Sequence, residues 1–256
     1  MDWLAISAGV LLVLAGGASG CLLLLHKAGQ LRQVEQRYGF KVPHLRYLAG
    51  GIGLFTGLAC GGLAVFFLSL NEQGTPILWI GRSAYLLIVG ASGGHLFNLV
   101  YFGLALRREE RAWMAEPSGG TLGFLRLREL GHFRRTFAQY ADLKQRDERL
   151  LEELTLALGG ALLEARRSLT RLPFYGYLGT ICGILLMAQE LSRIDEASQT
   201  FKILSSMAGG LVLAFQTTLM ALIAYLPLRK AADILWRRFG ELEEEWIRAR
   251  DAEARP

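Results

Sequence analysis

The chain has 256 residues, of which 52% are hydrophobic and 20% are charged. Average soluble domains have about a quarter of their residues charged, and their apolar residues follow amphipathic patterns. Here the apolar residues form unbroken runs, which excludes an ordinary soluble domain. The net charge of +5 fits a basic cytoplasmic face beside anionic lipid, and no nucleic-acid-binding motif accompanies it. We therefore expect a lipid bilayer as surroundings and no nucleic acid as partner.

Five uncharged segments are each long enough to cross a membrane, for which about 20 apolar residues are needed. The sequence therefore predicts an all-α polytopic membrane protein with five transmembrane helices. The first segment could instead be a cleaved signal peptide, but its n-region, Met-Asp-Trp, has no basic residue, and the apolar run is too long for a signal peptide. The five segments are Trp3–Leu25, Tyr47–Leu70, Ser83–Leu106, Leu172–Gln189 and Ile203–Leu228.

The distribution of basic residues predicts the orientation. Of the 28 Lys and Arg residues, 25 lie in His26–Arg46, in Arg107–Arg171 and from Arg229 onward. Lys and Arg are rarely translocated in short loops, so these three regions are expected in the cytoplasm, with the N-terminus outside. The predicted organisation is an N-terminal transmembrane hairpin (1–70), a third crossing (76–106), a cytoplasmic helical region (107–171), a second hairpin (172–228) and a cytoplasmic C-terminal helix or tail (229–256).

Small residues in the second segment predict a close helix contact. Gly53, Gly57 and Gly61 are spaced four residues apart, and such glycines let membrane helices approach closely. The contact is either with the first helix or with another subunit. In the third segment, Arg82 is expected near the outer surface, where its side chain can reach lipid headgroups.

His95 and Asn98 lie three residues apart and hence on one face of the third helix. They are expected to make an interhelical hydrogen bond, with a proton relay as the alternative. An alternative function is that of a solute permease, and permeases bind solutes at interrupted helices. The candidate binding residues would then be His95 and Asn98, with Gly93-Gly94 as the interruption of the helix.

The fourth segment has a face almost bare of side chains. Gly176, Thr180 and Gly183 fall on one side of the helix, with Thr180 as its hydroxyl, and Gly179 and Gly183 form a further close-approach pair. Glu190 ends the segment and is either paired with Arg193 or a charge at the mouth of a pore.

The fifth segment carries two adjacent hydroxyls. Thr217 lies on a seam of small residues that includes Gly210, whereas Thr218 lies about 100° away on a more apolar face. Neither segment has a central carboxylate, so an ion path here would need an acid from another chain. No motif for a cofactor, a metal site or enzymatic catalysis is present, so we expect none of the three.

These last two segments resemble those of the MotA/TolQ/ExbB proton-channel family. The resemblance rests on the Pro-x-x-Gly-x-x-Gly-Thr-x-x-Gly arrangement in Leu172–Gly183, on Ala-Phe-Gln-Thr-Thr in Gly210–Ala221, and on the helical region that precedes them. It extends over about residues 83–238.

The resemblance implies a homopentamer in the bacterial inner membrane, around a single-span partner of the ExbD, TolR or MotB type. The partner's membrane aspartate would carry the proton, and ion flow would do mechanical work on the cell envelope. Thr180 and, by alignment, Thr218 would face that aspartate, with Thr217 as a competitor. Two features depart from the family: the TolQ and ExbB branch has a glutamate where this chain has Leu213, and two extra crossings precede the common part. The process that is driven, and the choice between H+ and Na+, are left open.

Overall fold

The computed structural model describes residues 3–38, 41–70, 75–115, 120–121, 125, 128, 140–192 and 200–253, and contains no strand among them. The chain folds into long helices, as the sequence predicts. They are α1 (Trp3–Tyr38), α2 (Leu45–Ser69), α3 (Pro76–Ala115), α4 (Tyr140–Leu169), α5 (Arg171–Leu191) and α6 (Thr200–Glu253).

Five stretches are long and apolar enough to span a membrane, and they lie in α1, α2, α3, α5 with the end of α4, and α6. The all-helical, multi-pass architecture expected from the sequence is therefore confirmed. Three of the helices continue well past their apolar segments: α1 to Tyr38, α3 to Ala115 and α6 to Glu253.

The helices contribute to two compact units. The apolar unit consists of Met1–Leu25, Tyr47–Leu96 and Ser168–Arg229, and the charged unit of His26–Arg46, Phe97–Arg167 and Lys230–Pro256. The division follows composition, because the charged unit takes up most of the basic segments between the apolar runs.

In the apolar unit, the glycines of α2 lie directly against α1. A Cβ added at Gly53 would lie 2.9 Å from the Cα of Cys21, and one added at Gly61 would lie 2.8 Å from the Cα of Val13. Gly57 similarly faces the backbone of Gly16. Real Cβ atoms do not approach backbone this closely, so only glycine fits. Of the two contacts predicted for this series, the structure favours packing within the chain.

The side chain of Arg82 is only 5% exposed, so it is packed against the protein instead of extending to lipid headgroups as expected. Its guanidinium lies over the rings of Phe67 and Trp79 and donates a hydrogen bond to the carbonyl oxygen of Phe67 at 3.3 Å. The end of α2 and the start of α3 thus offer the cation an aromatic surface, and α2 also offers a backbone acceptor. These contacts compensate for the loss of hydration.

In the charged unit, α4 places one apolar stripe inward. Leu154, Leu158 and Leu162 recur at a spacing of four and are at most 5% exposed. Phe239 of α6 packs edge-on against Phe102 of α3, with ring centroids 5.6 Å apart. A Cβ on Gly159 of α4 would lie 3.5 Å from the same ring, so Phe239 connects α3, α4 and α6.

Ion pairs join the same helices at the surface of the charged unit. Lys27 of α1 lies 3.6 Å from Glu164 of α4, and Arg166 of α4 lies 3.5 Å from Asp233 of α6. Glu110 of α3 is paired with Arg238 of α6. Exposed pairs contribute little individually, so the apolar stripe provides most of the stability of this unit.

Candidate functional site: a hydroxyl pair between α5 and α6

The fourth apolar helix, α5, begins at Arg171 and accommodates Pro173 in its first turn. Backbone N–H groups in a first turn have no partner within the helix, so proline causes no loss there. Three glycines of α5 are buried: Gly176, Gly179 and Gly183.

These glycines lie against α6. A Cβ at Gly176 would lie 3.2 Å from the Cα of Thr218, and one at Gly183 would lie 2.9 Å from the Cβ of Ala214. Gly210 in turn faces the backbone and side chain of α5 at Met187. The glycines that the sequence predicts to pack closely therefore form the contact between α5 and α6. This contact fixes the distance between the threonine hydroxyls of the two helices.

Thr217 lies inside this contact. Its side chain is fully buried, and its hydroxyl donates to the carbonyl oxygen of Leu213 at 2.9 Å, with that of Ala214 at 3.1 Å. It occupies the space in front of Gly179, where a Cβ would collide with it. Thr217 therefore has the position of a packing residue.

Thr180 and Thr218 form a direct pair across the same contact. Their hydroxyl oxygens are 2.6 Å apart, and both side chains are only partly buried. The carbonyl oxygen of Ala214 lies 3.3 Å from the Thr180 hydroxyl and 3.0 Å from that of Thr218. Two hydroxyls and a backbone carbonyl thus converge at the edge of the contact, where other molecules can reach them.

This oxygen cluster has no acid of its own. Leu172–Gln189 and Ile203–Leu228 contain no carboxylate. Leu213, at which the resemblance implies a glutamate in the TolQ and ExbB branch, is buried. No group of residues suited to holding a metal ion occurs in the described parts of the chain. Hydroxyls and carbonyls can solvate a proton carrier or a cation, but they do not titrate near neutral pH.

Glu190 lies at the end of α5, away from the hydroxyl pair, and is half-buried. Its predicted partner Arg193 lies outside the described residues, so the choice between an ion pair and a pore-mouth charge stays a prediction.

His95 is 8% exposed, and its Nδ1 lies 3.5 Å from the hydroxyl of Ser168. This contact joins α3 to the end of α4, as expected of an interhelical hydrogen bond of His95. The side-chain oxygen of Asn98, in contrast, is buried without a hydrogen-bond partner among the described residues. The helix is continuous through Gly93-Gly94, and Gly93 packs against the side chain of Thr56.

One polar contact in the apolar unit was not foreseen. The hydroxyl of Tyr85 on α3 donates to the side-chain oxygen of Gln216 on α6 at 3.1 Å. A glutamine within an apolar run was the available signal, since such residues usually face protein or water. Its partner could not be named without the arrangement of α3 and α6.

The fold and this site together define an α-helical multi-pass membrane protein whose last two apolar helices carry a hydroxyl pair at the edge of their contact. Residues 141–247, which include α5 and most of α4 and α6, match the MotA/TolQ/ExbB proton channel family. The resemblance predicted from the sequence is thereby confirmed for this segment, with the branch of the family left open. This is a family of channels rather than enzymes, and the match implies a membrane subunit of the proton-channel type. No match was found among curated proteins or among solved structures.

Proposed function

We propose that this protein is the ion-conducting subunit of an inner-membrane energiser complex, and that the Thr180–Thr218 pair lines its ion path. The observation that carries the proposal is the 2.6 Å contact between the two hydroxyls at the accessible edge of the α5–α6 contact. Thr217, the competitor, has its hydroxyl buried inside the contact.

The titrating acid comes from a second chain in this proposal. The apolar segments of α5 and α6 lack a carboxylate, whereas proton transfer through a membrane ordinarily needs a titratable group. A single-span partner with an aspartate in its membrane helix would complete the path. We further propose a ring of identical subunits around this partner, pentameric as in the family, with the N-terminus outside and the C-terminus in the cytoplasm.

A solute permease is the weaker alternative. It requires an interrupted helix near the middle of the membrane, but α3 is unbroken from Pro76 to Ala115. His95 bonds to Ser168, which favours a structural role for this histidine.

The test is proton flux in vesicles that contain the full chain and its single-span partner. Thr180→Val and Thr218→Val keep the side-chain shape and remove the hydroxyl. A hydrogen bond to a charged group contributes about 1.5–3 kcal/mol, so we expect flux to fall by about tenfold or more. Repeating the assay with a sodium gradient decides which ion is carried.

Ser92→Ala is the matched control, because within the described part of the chain the Ser92 hydroxyl bonds only to the carbonyl of Ile88 in its own helix. Its flux should equal that of the unmodified chain. Full flux in both threonine variants would overturn the assignment of the path, and complexes that never conduct ions would indicate a membrane scaffold instead.

A further inference from the structure

The charged unit carries two oppositely charged helix faces that have no ion-pair partner among the residues that the structure describes. On α3, the sequence Arg-Arg-Glu-Glu-Arg occupies residues 107–111. Its two glutamates are used internally: Glu109 accepts hydrogen bonds from Thr121, and Glu110 is paired with Arg238.

Because the two glutamates are paired, the remaining arginines form a basic face on α3. Arg107 and Arg111 are exposed, and neither makes an ion pair or hydrogen bond in the described part of the chain. They are four residues apart and hence about 40° apart around the helix. Met114, one turn further along, is 80% exposed.

The acidic counterpart lies on α4. Glu152 and Glu153 are exposed and likewise have no ion-pair partner among the described residues. Leu156 follows them by four and three residues, so it lies between them on the helix surface, and it is 65% exposed. The basic face therefore combines arginines with an exposed methionine, two residue types that are enriched at protein contact surfaces. The acidic face places an exposed leucine between two carboxylates.

The two faces lie at matching heights along the unit. Phe102 of α3 and Gly159 of α4 both contact Phe239 and define a common level. A helix rises about 1.5 Å per residue. The basic face therefore lies about 8–14 Å from Phe102, in the C-terminal direction of α3. The acidic face lies about 9–11 Å from Gly159, in the N-terminal direction of α4. Going from His95 to Phe102 along α3, the facing residues of α4 change from Ser168 to Gly159, so the two helices run in opposite directions. Both displacements therefore point the same way.

We infer that the basic face of α3 (Arg107, Arg111) binds the acidic face of α4 (Glu152, Glu153) of a second copy of this chain. Two different faces that complement each other generate a head-to-tail contact, and repeated head-to-tail contacts close into a ring. The equal heights allow such a ring to form without displacing one copy along the bundle axis. The inference deepens the ring proposed above, but it does not depend on ion conduction.

The first experiment uses charge reversal in the purified full chain, with oligomer mass measured by native mass spectrometry or light scattering. Arg107→Glu with Arg111→Glu should raise the concentration needed for assembly by about tenfold or more, because like charges are placed opposite one another. Glu152→Lys with Glu153→Lys should do the same. All four positions are exposed, so circular dichroism should show unchanged folding.

The decisive result is rescue. A chain carrying all four substitutions should assemble again, because every contact between copies then joins opposite charges. Unchanged assembly in both double variants would overturn the inference, and so would a loss of assembly that the combined chain does not restore.

A cross-linking experiment tests the geometry independently. In a background with the three cysteines replaced by serine, Arg107→Cys combined with Glu153→Cys should give a ladder of covalent dimers and larger species on mild oxidation. Each single cysteine variant is the control and should give no ladder. A monomer cross-linked only to itself would contradict the head-to-tail contact.

Neither experiment measures ion flux. A negative result would therefore contradict the contact between copies without contradicting the proposed ion path. A ring that assembles but does not conduct ions would support the contact and contradict the ion path.

Discussion

The hydroxyl oxygens of Thr180 and Thr218 lie 2.6 Å apart, although the two residues are 38 positions apart in the chain. The contact depends on the glycines of α5, which let its backbone approach that of α6. A larger residue at Gly176 or Gly183 would meet atoms of α6 within about 3 Å. Close helix packing and the pairing of the hydroxyls are thus one structural feature.

Thr180 and Thr218 should be energetically coupled in folding. In a double-mutant cycle with Thr180→Val and Thr218→Val, we expect a coupling of about 0.6 kcal/mol, the average for hydrogen bonds between membrane helices. The measurement is unfolding of the full chain from mixed micelles by dodecyl sulfate. Ser83→Ala is the control partner, because its hydroxyl bonds within α3 to Ile80. It should show no coupling to Thr180, and additive effects of the threonine pair would contradict the contact.

Thr217→Val should affect stability rather than ion flux. Its hydroxyl is buried and donates to backbone carbonyls of its own helix, and valine preserves the volume that fills the space before Gly179. We expect a loss of about 1 kcal/mol in the free energy of unfolding and near-normal flux. Flux loss equal to that of Thr218→Val, at unchanged stability, would assign the path to Thr217 instead.

The sequence could indicate both threonines but could not choose between them. Helical periodicity separates Thr217 and Thr218 by about 100°, and each then lies on a plausible face. Which face of α6 meets α5 depends on where the glycines of α5 pack, and that is a property of the tertiary structure.

The existence and type of the helices were predictable because the apolar runs are long. The Tyr85–Gln216 contact and the burial of Arg82 were not, since they need the arrangement of α2, α3 and α6.

Gly57→Ala should destabilise the hairpin of α1 and α2. The added methyl group would collide with the backbone of Gly16, which cannot move without separating the helices. Overpacking of this kind typically costs about 1–3 kcal/mol, measurable as a lower unfolding temperature. Gly62→Ala is the matched control on the same helix, because nothing lies within 4 Å of a Cβ there. Equal effects of the two substitutions would show that α1 does not pack on this face.

Gly183→Ala should separate α5 from α6 near the hydroxyl pair. Its Cβ would meet the backbone of Gly210 and lie 2.9 Å from the Cβ of Ala214. We expect both a lower unfolding temperature and reduced ion flux, because the spacing between Thr180 and Thr218 is set by this contact. Gly209→Ala is the control, since a Cβ there meets nothing within 4 Å. Normal flux in Gly183→Ala would show that the path tolerates a shift of α5.

Arg82→Lys should be destabilising although it preserves the charge. The guanidinium lies over the rings of Phe67 and Trp79, with its central carbon 5.8 Å and 5.3 Å from the ring centroids. An ammonium group is more strongly hydrated than a guanidinium, so its burial at a site only 5% exposed is less well compensated. We expect a loss of about 1–2 kcal/mol, read from thermal unfolding of the full chain. Arg171→Lys, at an exposed position of the same unit, should leave the unfolding temperature unchanged. If Arg82→Lys also left it unchanged, the cation would be held by its charge alone rather than by the aromatic surface of α2 and α3.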